Sequence, residues 1–329
     1  MPLINHCNGG GGTPQLCGQV ENFKAGLGNL SAILSWTAPS PDEDNSFVGA
    51  RIVRKTGSAP TGINDGTVVY EGTALTYTDT GLTAGTTYYY RAFAYNAKKK
   101  YQTAYRVINK TAIVLNSNFA DNDWDEIIAA CQIGSVPDTW VAGDSKTMTI
   151  GGKSYQFDIV GKNHDTYTAG GIAPLTFGLH DCYGTTYPMN SSDTNSTGWD
   201  GSKMRTKTLP AILAKMPENI QNGIREVNKL TTAGNQSATI NTTADKLFTF
   251  SEIEVYGSAS YSYSGEGKQY DYYKAGNSKI KKVGSAASWW WLRSPFKSTN
   301  DEFCTVTTSG SNSVANASGS SGVCFGFCF

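Results

Sequence analysis

Trp289-Trp290-Trp291-Leu292-Arg293-Ser294-Pro295 and, further on, Gly322-Val323-Cys324-Phe325-Gly326-Phe327-Cys328-Phe329 are two aromatic, β-prone runs. The chain between them is mostly Ser, Thr, Asn and Gly. Two apolar strands framing a polar segment describe a rigid frame that displays a surface, a design for binding more than for catalysis. In an extended run, Trp289, Trp290 and Trp291 alternate between faces. At least one therefore points to the core, and another is available to stack on a ligand. Arg293 is expected either to pair with a buried carboxylate or to contact a ligand. In Phe303-Cys304-Thr305-Val306-Thr307, Cys304 and Val306 share the face expected to be buried, and Phe303, Thr305 and Thr307 share the other. Gly310 marks the next turn. The expected display surface is Lys297, Ser298, Thr299, Asn300, Asp301, Phe303, Thr305, Thr307, Ser311, Asn312, Ser313 and Asn316. It offers adaptable hydrogen-bonding groups around one aromatic anchor.

Upstream, the chain reads as short mixed elements. Asp121 or Asn122 is expected to cap a helix beginning near Trp124, with acidic residues suited to its dipole. Gly151-Gly152 between Thr147–Ile150 and Tyr155–Val160 signals a hairpin. Leu175–Leu179 reads as a strand. The helical pattern from Met204 to Ile224 is interrupted by Pro210 and Pro217, which predicts two or three short helices. Ser251 is a plausible cap for Glu252–Tyr256, and Gly265–Tyr273 reads as a short helix or turn. Short helices followed by a terminal β-sheet predict an α+β domain over residues 119–329.

Residues 19–113 differ in character. Short alternating runs separated by turn clusters predict an all-β sandwich. In Ile33-Leu34-Ser35-Trp36, Leu34 and Trp36 share the inward face. Leu82 precedes Tyr88 by six residues, and Tyr88 opens an alternating aromatic strand with Tyr90. This is the sequence form of a tyrosine corner, in which the phenol bonds back to the backbone. On Trp36, Leu82, Tyr88 and Tyr90 the segment resembles a fibronectin type III domain. Its Lys98–Lys100 loop, a solvated hairpin tip or a binding loop, carries no Arg-Gly-Asp. Residues 1–18 form a Gly-rich lead whose composition supports no core, expected to serve as an attachment segment. Residues 114–118 are read as a linker.

The bulk properties narrow the function. Lys plus Arg equals Asp plus Glu at 27 each, so no basic stripe argues for nucleic acid and no charge block for an anionic membrane. No apolar run approaches the ~20 residues of a membrane helix. The start lacks a secretory signal pattern, so an extracellular role implies release by lysis or by assembly into a particle. Seven dispersed cysteines fit no disulfide framework. Cys304, Cys324 and Cys328 read as small core hydrophobes, and no basic neighbour activates them. His6, Cys7 and Cys17 are conceivable metal ligands without a second close pair. Neither His164-Asp165 nor His180-Asp181 lies near a candidate nucleophile, so a structural role is expected for both. Asn190–Thr197 is a polar loop or an oxygen-rich cation site. Glu252 and Glu254 read as a helix start, without the signs of a tuned acid–base pair. No catalytic residue, cofactor or metal is expected.

The second region also resembles a family: the bacterial and phage domains with a Trp-Trp-Leu-Arg-Ser-Pro signature, related to C-type-lectin-like folds. The resemblance rests on Gly143-Asp144, Gly161-Lys162-Asn163-His164-Asp165, Thr176-Phe177, Met189-Asn190, and Gly198-Trp199 with Ser202 and Met204-Arg205. It continues through Leu247, Ser251-Glu252, Glu254-Val255, Trp290–Pro295 and Gly322-Val323. Cys324-Phe325-Gly326-Phe327 stands where the family ends closer to Arg-Pro-Ala-Phe. Joined to a fibronectin-like domain and a Gly-rich lead, this domain resembles phage or prophage tail-tip receptor-binding proteins. The resemblance implies a virion-tail protein that binds a host-surface protein or glycan and meets tail or baseplate proteins through its N-terminus. It also implies a homo-oligomer, with a trimer as the leading form. Some members of the fold are targets of diversity-generating retroelements, and residues 297–320 carry the Asn/Ser/Thr part of that composition. A plain Ser/Asn-rich loop explains it equally well. A bacterial surface adhesin and, further off, a surface-glycan hydrolase are the alternatives.

Overall fold

The computed structural model describes residues 18–28, 30–39, 47–83, 86–102 and 115–329. Residues 1–17 of the Gly-rich lead, with His6, Cys7 and Cys17, and residues 103–114 lie outside the described residues. The protein is multidomain and mostly β, with two compact units, Met1–Asn116 and Ser117–Phe329.

The first unit contains β1 (Glu21–Gly28), β2 (Ser31–Thr37), β3 (Phe47–Thr56), β4 (Thr67–Gly72), β5 (Thr76–Thr80) and β6 (Tyr88–Asn96). They form two antiparallel sheets, ordered β1-β2-β5 and β4-β3-β6. Alternation decides which side chains meet between them. Ala32, Leu34 and Trp36 are buried while Ile33 is 39% exposed. The three join Phe23, Ile52, Tyr88, Tyr90 and Ala92 from the other strands in one core. A buried side chain of the Leu or Ile kind contributes roughly 1.5–3 kcal/mol. The corner forms as the spacing predicts: the Thr83 N–H donates to Tyr88 Oη at 3.0 Å. That bond holds the Tyr88 phenol below its usual range. The Tyr90 hydroxyl donates to Asp79 at 2.7 Å, and Arg54 pairs with the same carboxylate at 2.9 Å. These are fibronectin type III-like sandwich sheets.

The second unit is built around a five-stranded antiparallel sheet ordered β13-β20-β9-β8-β7. Its members are β7 (Ser145–Ile150), β8 (Lys153–Lys162), β9 (Leu175–Leu179), β13 (Phe248–Thr249) and β20 (Phe325–Cys328). Gly151 and Gly152, with φ of 56° and 81°, make the two-residue turn between β7 and β8. β9 and β20 are buried along their whole length, which is why they read as unbroken apolar runs. Phe327 packs on Phe177 and Phe157 at ring distances of 5.4 and 5.3 Å. Gly178 and Gly326 face each other in the ladder. A Cβ on Gly178 would lie 2.7 Å from the Phe250 ring, and one on Gly326 2.7 Å from the Phe177 carbonyl. Both positions therefore demand glycine.

α1 (Trp124–Ile133) sets its Trp124 ring against Phe177 and Phe329. Its N-cap is Asp123, in a reciprocal capping box with Glu126, and not Asp121 or Asn122. Those two residues belong to a preceding 3-10 turn, Phe119–Asp121, and its C-cap. The proline-interrupted stretch forms a π turn (Met204–Thr208), α2 (Leu209–Leu213) and α3 (Glu218–Gly223), with Pro217 as the N-cap of α3. A hairpin of β11 (Val227–Gly234) and β12 (Ser237–Asp245) follows. Next come α4 (Glu252–Tyr256), with Ser251 as its N-cap, and α5 (Asp271–Lys274). β14 (Lys281–Val283) pairs with β15 (Ala286–Ser288), and β10 (Tyr187–Pro188) with β19 (Ser320–Ser321). β16 (Trp290–Pro295), β17 (Glu302–Val306) and β18 (Asn312–Asn316) form the three-stranded terminal sheet. Among the described residues no helix is long and apolar enough to cross a membrane.

Candidate functional site

The terminal sheet hangs on β16. Trp290 and Trp291 are both fully buried, whereas Trp289 is 39% exposed. The buried indoles are satisfied: Trp290 Nε1 donates to the Lys279 carbonyl at 2.9 Å, and Trp291 Nε1 to the Tyr187 carbonyl at 2.7 Å. Gly322 bridges the strand, donating to Trp289 O and accepting from Trp291 N. A Cβ there would lie 2.4 Å from Cys182 Sγ.

Arg293 is fully buried and pairs with Glu254, its Nη2 lying 2.8 Å from Oε1. It also donates to Thr231 Oγ1 and to the carbonyls of Thr249 and Leu230. Arg293 is thus the buried structural partner of a carboxylate, the first of the two roles expected for it. Lys229, also buried, lies 2.6 Å from Glu254 and 2.7 Å from Asp165. Asp165 in turn accepts hydroxyl bonds from Thr176 and Tyr270. Two cations and two carboxylates share one interior. Burial alone would raise Glu254 and Asp165. The adjacent Arg293 and Lys229 outweigh it at Glu254, and Lys229 and His164 outweigh it at Asp165, so both stay below the usual carboxylate range. Glu266, with Thr232 and Ser294 as its hydrogen-bond donors, is pushed up by burial.

Glu252 is buried without an ion-pair partner among the described residues. Its oxygens accept from the N–H groups of Ser260 at 2.8 Å and Tyr261 at 2.9 Å, and from the Ser262 hydroxyl at 2.6 Å. They also accept from the Ser262 N–H and the Asn312 side-chain amide. Glu252 thereby fastens β18 to the loop after α4. A second clasp is Asn195, fully buried. Its Nδ2 donates to the carbonyls of Thr299 at 3.0 Å and Glu302 at 2.8 Å, and its backbone N–H to Asn300 O at 2.7 Å. Asp193 accepts from the Ser318 N–H at 2.9 Å. Polar groups of the Asn190–Thr197 segment thus bind the terminal sheet. No group of three or more His, Cys, Asp or Glu able to hold a metal occurs among the described residues.

The expected display residues divide. Ser298, Asn300, Ser311 and Asn316 are exposed, and Lys297, Thr299, Asp301, Thr307, Asn312 and Ser313 are partly so. Phe303 and Thr305 are fully buried, which corrects their assignment to an open face. Cys304 and Val306 are buried as the alternation requires. β17 is the central strand, and Thr305 pairs with Trp291. The segment from Tyr187 to Asn195 is tied to β16 at Trp291 Nε1 and, through Asn195, to the 296–302 loop. The polar surface is consequently a rim: the 297–301 loop, the 307–313 turn and the outer edge of β18.

Several titratable or nucleophilic side chains have structural partners. Ser251 caps α4 in a capping box with Glu254. Burial pushes the Cys324 thiol up to about 11 and raises Cys328 well above the usual thiol range, so neither is a ready thiolate. His164 stacks on Tyr270 at 4.0 Å, with Nε2 3.2 Å from the Lys268 carbonyl. His180 bonds Asp158, not its neighbour Asp181, at 2.8 Å. Sequence reasoning missed Lys229, Glu266 and Asn195, and the whole β11–β12 hairpin. The available signal was the Thr-rich alternation around Gly234-Asn235-Gln236, where Asn235 and Gln236 take φ of 50° and 59°.

Residues 176–328 are similar to a family described as "Domain of unknown function (DUF6273)". That span includes the Trp290–Pro295 strand, Asn195 and both clasped loops. Among solved structures, the chain is similar to the solution structure of the fibronectin type-III domain of human fibronectin type III domain containing protein 3. Identity is 19%, the match covers 34% of this chain and all of that one, and the TM-score is 0.27. No curated protein matches the chain.

Proposed function

We propose that the protein is a non-enzymatic receptor-binding protein of a phage tail or related particle. In this reading residues 1–18 attach it, the first unit spaces it, and the second, an α+β domain of C-type-lectin-like kind, binds a host-surface protein or glycan. One observation carries the reading: a rim of Ser, Thr and Asn side chains sits on a frame whose anchors, Trp290, Trp291, Arg293 and Asn195, are all buried. Such side chains offer adaptable hydrogen bonds, and a fixed frame lowers the entropic cost of using them. Several copies at a tail tip would add avidity to weak single sites. If residues 297–320 are diversified, the burial of Phe303–Val306 confines tolerated changes to the 297–301 loop and to positions from Thr307 onward. A bacterial adhesin of the same architecture would use the same rim. A surface-glycan hydrolase finds less support, since Glu252 and Glu254 are consumed in structural bonds.

The test is binding of the labelled full chain to a panel of bacterial cells, beside a variant carrying Ala at Ser298, Asn300, Ser311 and Asn316. The expected outcome is binding to some strains by the native chain and at least about a tenfold loss for the variant, or 1.4 kcal/mol. Equal binding by both moves recognition off the rim. Release of reducing sugar from the cells by the native chain makes the protein a hydrolase.

A further inference from the structure

A cleft lies on another part of the second unit, where the start of β8, the end of β9 and the β14–β15 hairpin meet. Its volume is about 320 Å³, and Lys153, Tyr155, His180, Asp181, Cys182 and Lys282 are among the residues lining it. That is within the range of small-molecule sites. His180 is fixed on three sides. Its backbone N–H donates to Gln156 O at 2.9 Å, and its carbonyl accepts from the buried Lys281 ammonium at 2.8 Å. Its Nδ1 meets the buried Asp158 carboxylate at 2.8 Å. Asp158 is itself held by Gln156 Nε2 at 3.2 Å and by the Tyr272 hydroxyl. This leaves Nε2 as the free edge of a ring whose orientation the interior dictates. Lys153 and Lys282 have no ion-pair partner among the described residues. Tyr155, half-buried, is backed by Tyr183 at a ring distance of 4.9 Å. Cys182 is no nucleophile here, because burial pushes its thiol far up.

We infer that this cleft binds an acidic sugar, its carboxylate on His180, Lys153 and Lys282 and its ring against Tyr155. Cations supply charge-assisted hydrogen bonds to a carboxylate, and the aromatic offers an apolar surface with a polar tip to a sugar. The groups facing the His180 imidazole are Asp158 from β8, Asp181 beside it, and Lys281 from β14. The Asp158 bond raises its proton affinity against burial and Lys281, so the imidazole is charged over a wider pH span than a free histidine. Affinity should therefore fall as pH rises through that titration. The inference does not depend on the terminal rim and survives rim variants.

The experiment follows the imidazole signals of the isotope-labelled full chain while sodium glucuronate, glucose or inorganic phosphate is added. Glucuronate is expected to shift the His180 signals saturably, about tenfold more weakly at pH 8.5 than at pH 6. Glucose and phosphate should each bind at least about tenfold more weakly than glucuronate. Lys282→Ala, at an exposed side chain, should weaken glucuronate binding about threefold. No saturable shift with glucuronate overturns the proposal. So does phosphate binding as tightly as glucuronate, which would reduce the cleft to a general anion site, or a His180 response unchanged in Lys282→Ala.

Discussion

Glu252 and Glu254 stand two residues apart on α4, both buried, and live in opposite electrostatic settings. Glu254 faces two cations, Arg293 and Lys229. Glu252 faces only neutral donors: three backbone N–H groups, a hydroxyl and the Asn312 amide. The first solution joins the helix to the interior, from β16 through β11 to Asp165. The second joins the same helix outward, to a loop and to the rim strand β18. A buried carboxylate left without either kind of partner would be expelled or protonated. One helix turn thus locks the core with charge and steadies the surface with dipoles.

Removing charge from the inner side should do the most harm. Arg293→Met strips Glu254 of its bidentate partner and removes a donor from the carbonyls of Thr249 and Leu230. A loss of about 3–5 kcal/mol is expected, read from urea unfolding. A loss under 1 kcal/mol, expected for an exposed pair, would erase the contrast between the two glutamates. Glu252→Gln is the matched change on the outer side. Its amide presents hydrogens to a site where five donors already converge, costing about 1–3 kcal/mol. Hydrogen exchange should quicken at Ser260–Ser262 and along β18, while β9 and β20 stay protected. Uniform loosening throughout the unit would show that Glu252 also serves the core.

The two settings also separate by pH. Asp165 and Glu254 have folded values below their unfolded ones. Their contribution is present above the unfolded carboxylate range and is lost as pH falls through the folded values. Glu266, raised by burial, acts in the opposite sense, its share being lost as pH rises through its folded value. With two lowered carboxylates against one raised, the second unit should unfold more easily at pH 3 than at pH 6. Arg293→Met should flatten that dependence, as followed by chemical denaturation at each pH. A parallel shift of the two curves would mean that the ion pairs contribute nothing to it.

Much of this architecture was legible in the sequence where a residue's neighbours are local. The Tyr88 corner depends on Leu82 and Thr83 a few positions away, the β7–β8 turn on Gly151-Gly152, and the α4 start on Ser251 and Glu254. The Arg293 pairing was legible as a class of contact, because an arginine within an apolar strand needs a carboxylate, but its partner lies 39 positions distant. The candidate site was half legible. Alternation separates Phe303 and Thr305 from Cys304 and Val306, yet it cannot show that the second face is buried as well. Asn195 was hidden in a polar loop because its three carbonyl partners come from Phe296, Thr299 and Glu302. Lys229 was hidden because a lysine in a Thr-rich strand reads as solvated.

The division between a fixed frame and a replaceable rim can be measured directly. Ser298, Asn300, Ser311 and Asn316 would be exchanged together for other polar residues, and the unfolding free energy compared with that of the native chain. The expected change is within about ±0.5 kcal/mol per site, as for surface positions whose few side-chain bonds are exposed to solvent. A loss on the scale of Arg293→Met would contradict it, placing those side chains in the frame and leaving the terminal sheet without a surface to spare for recognition.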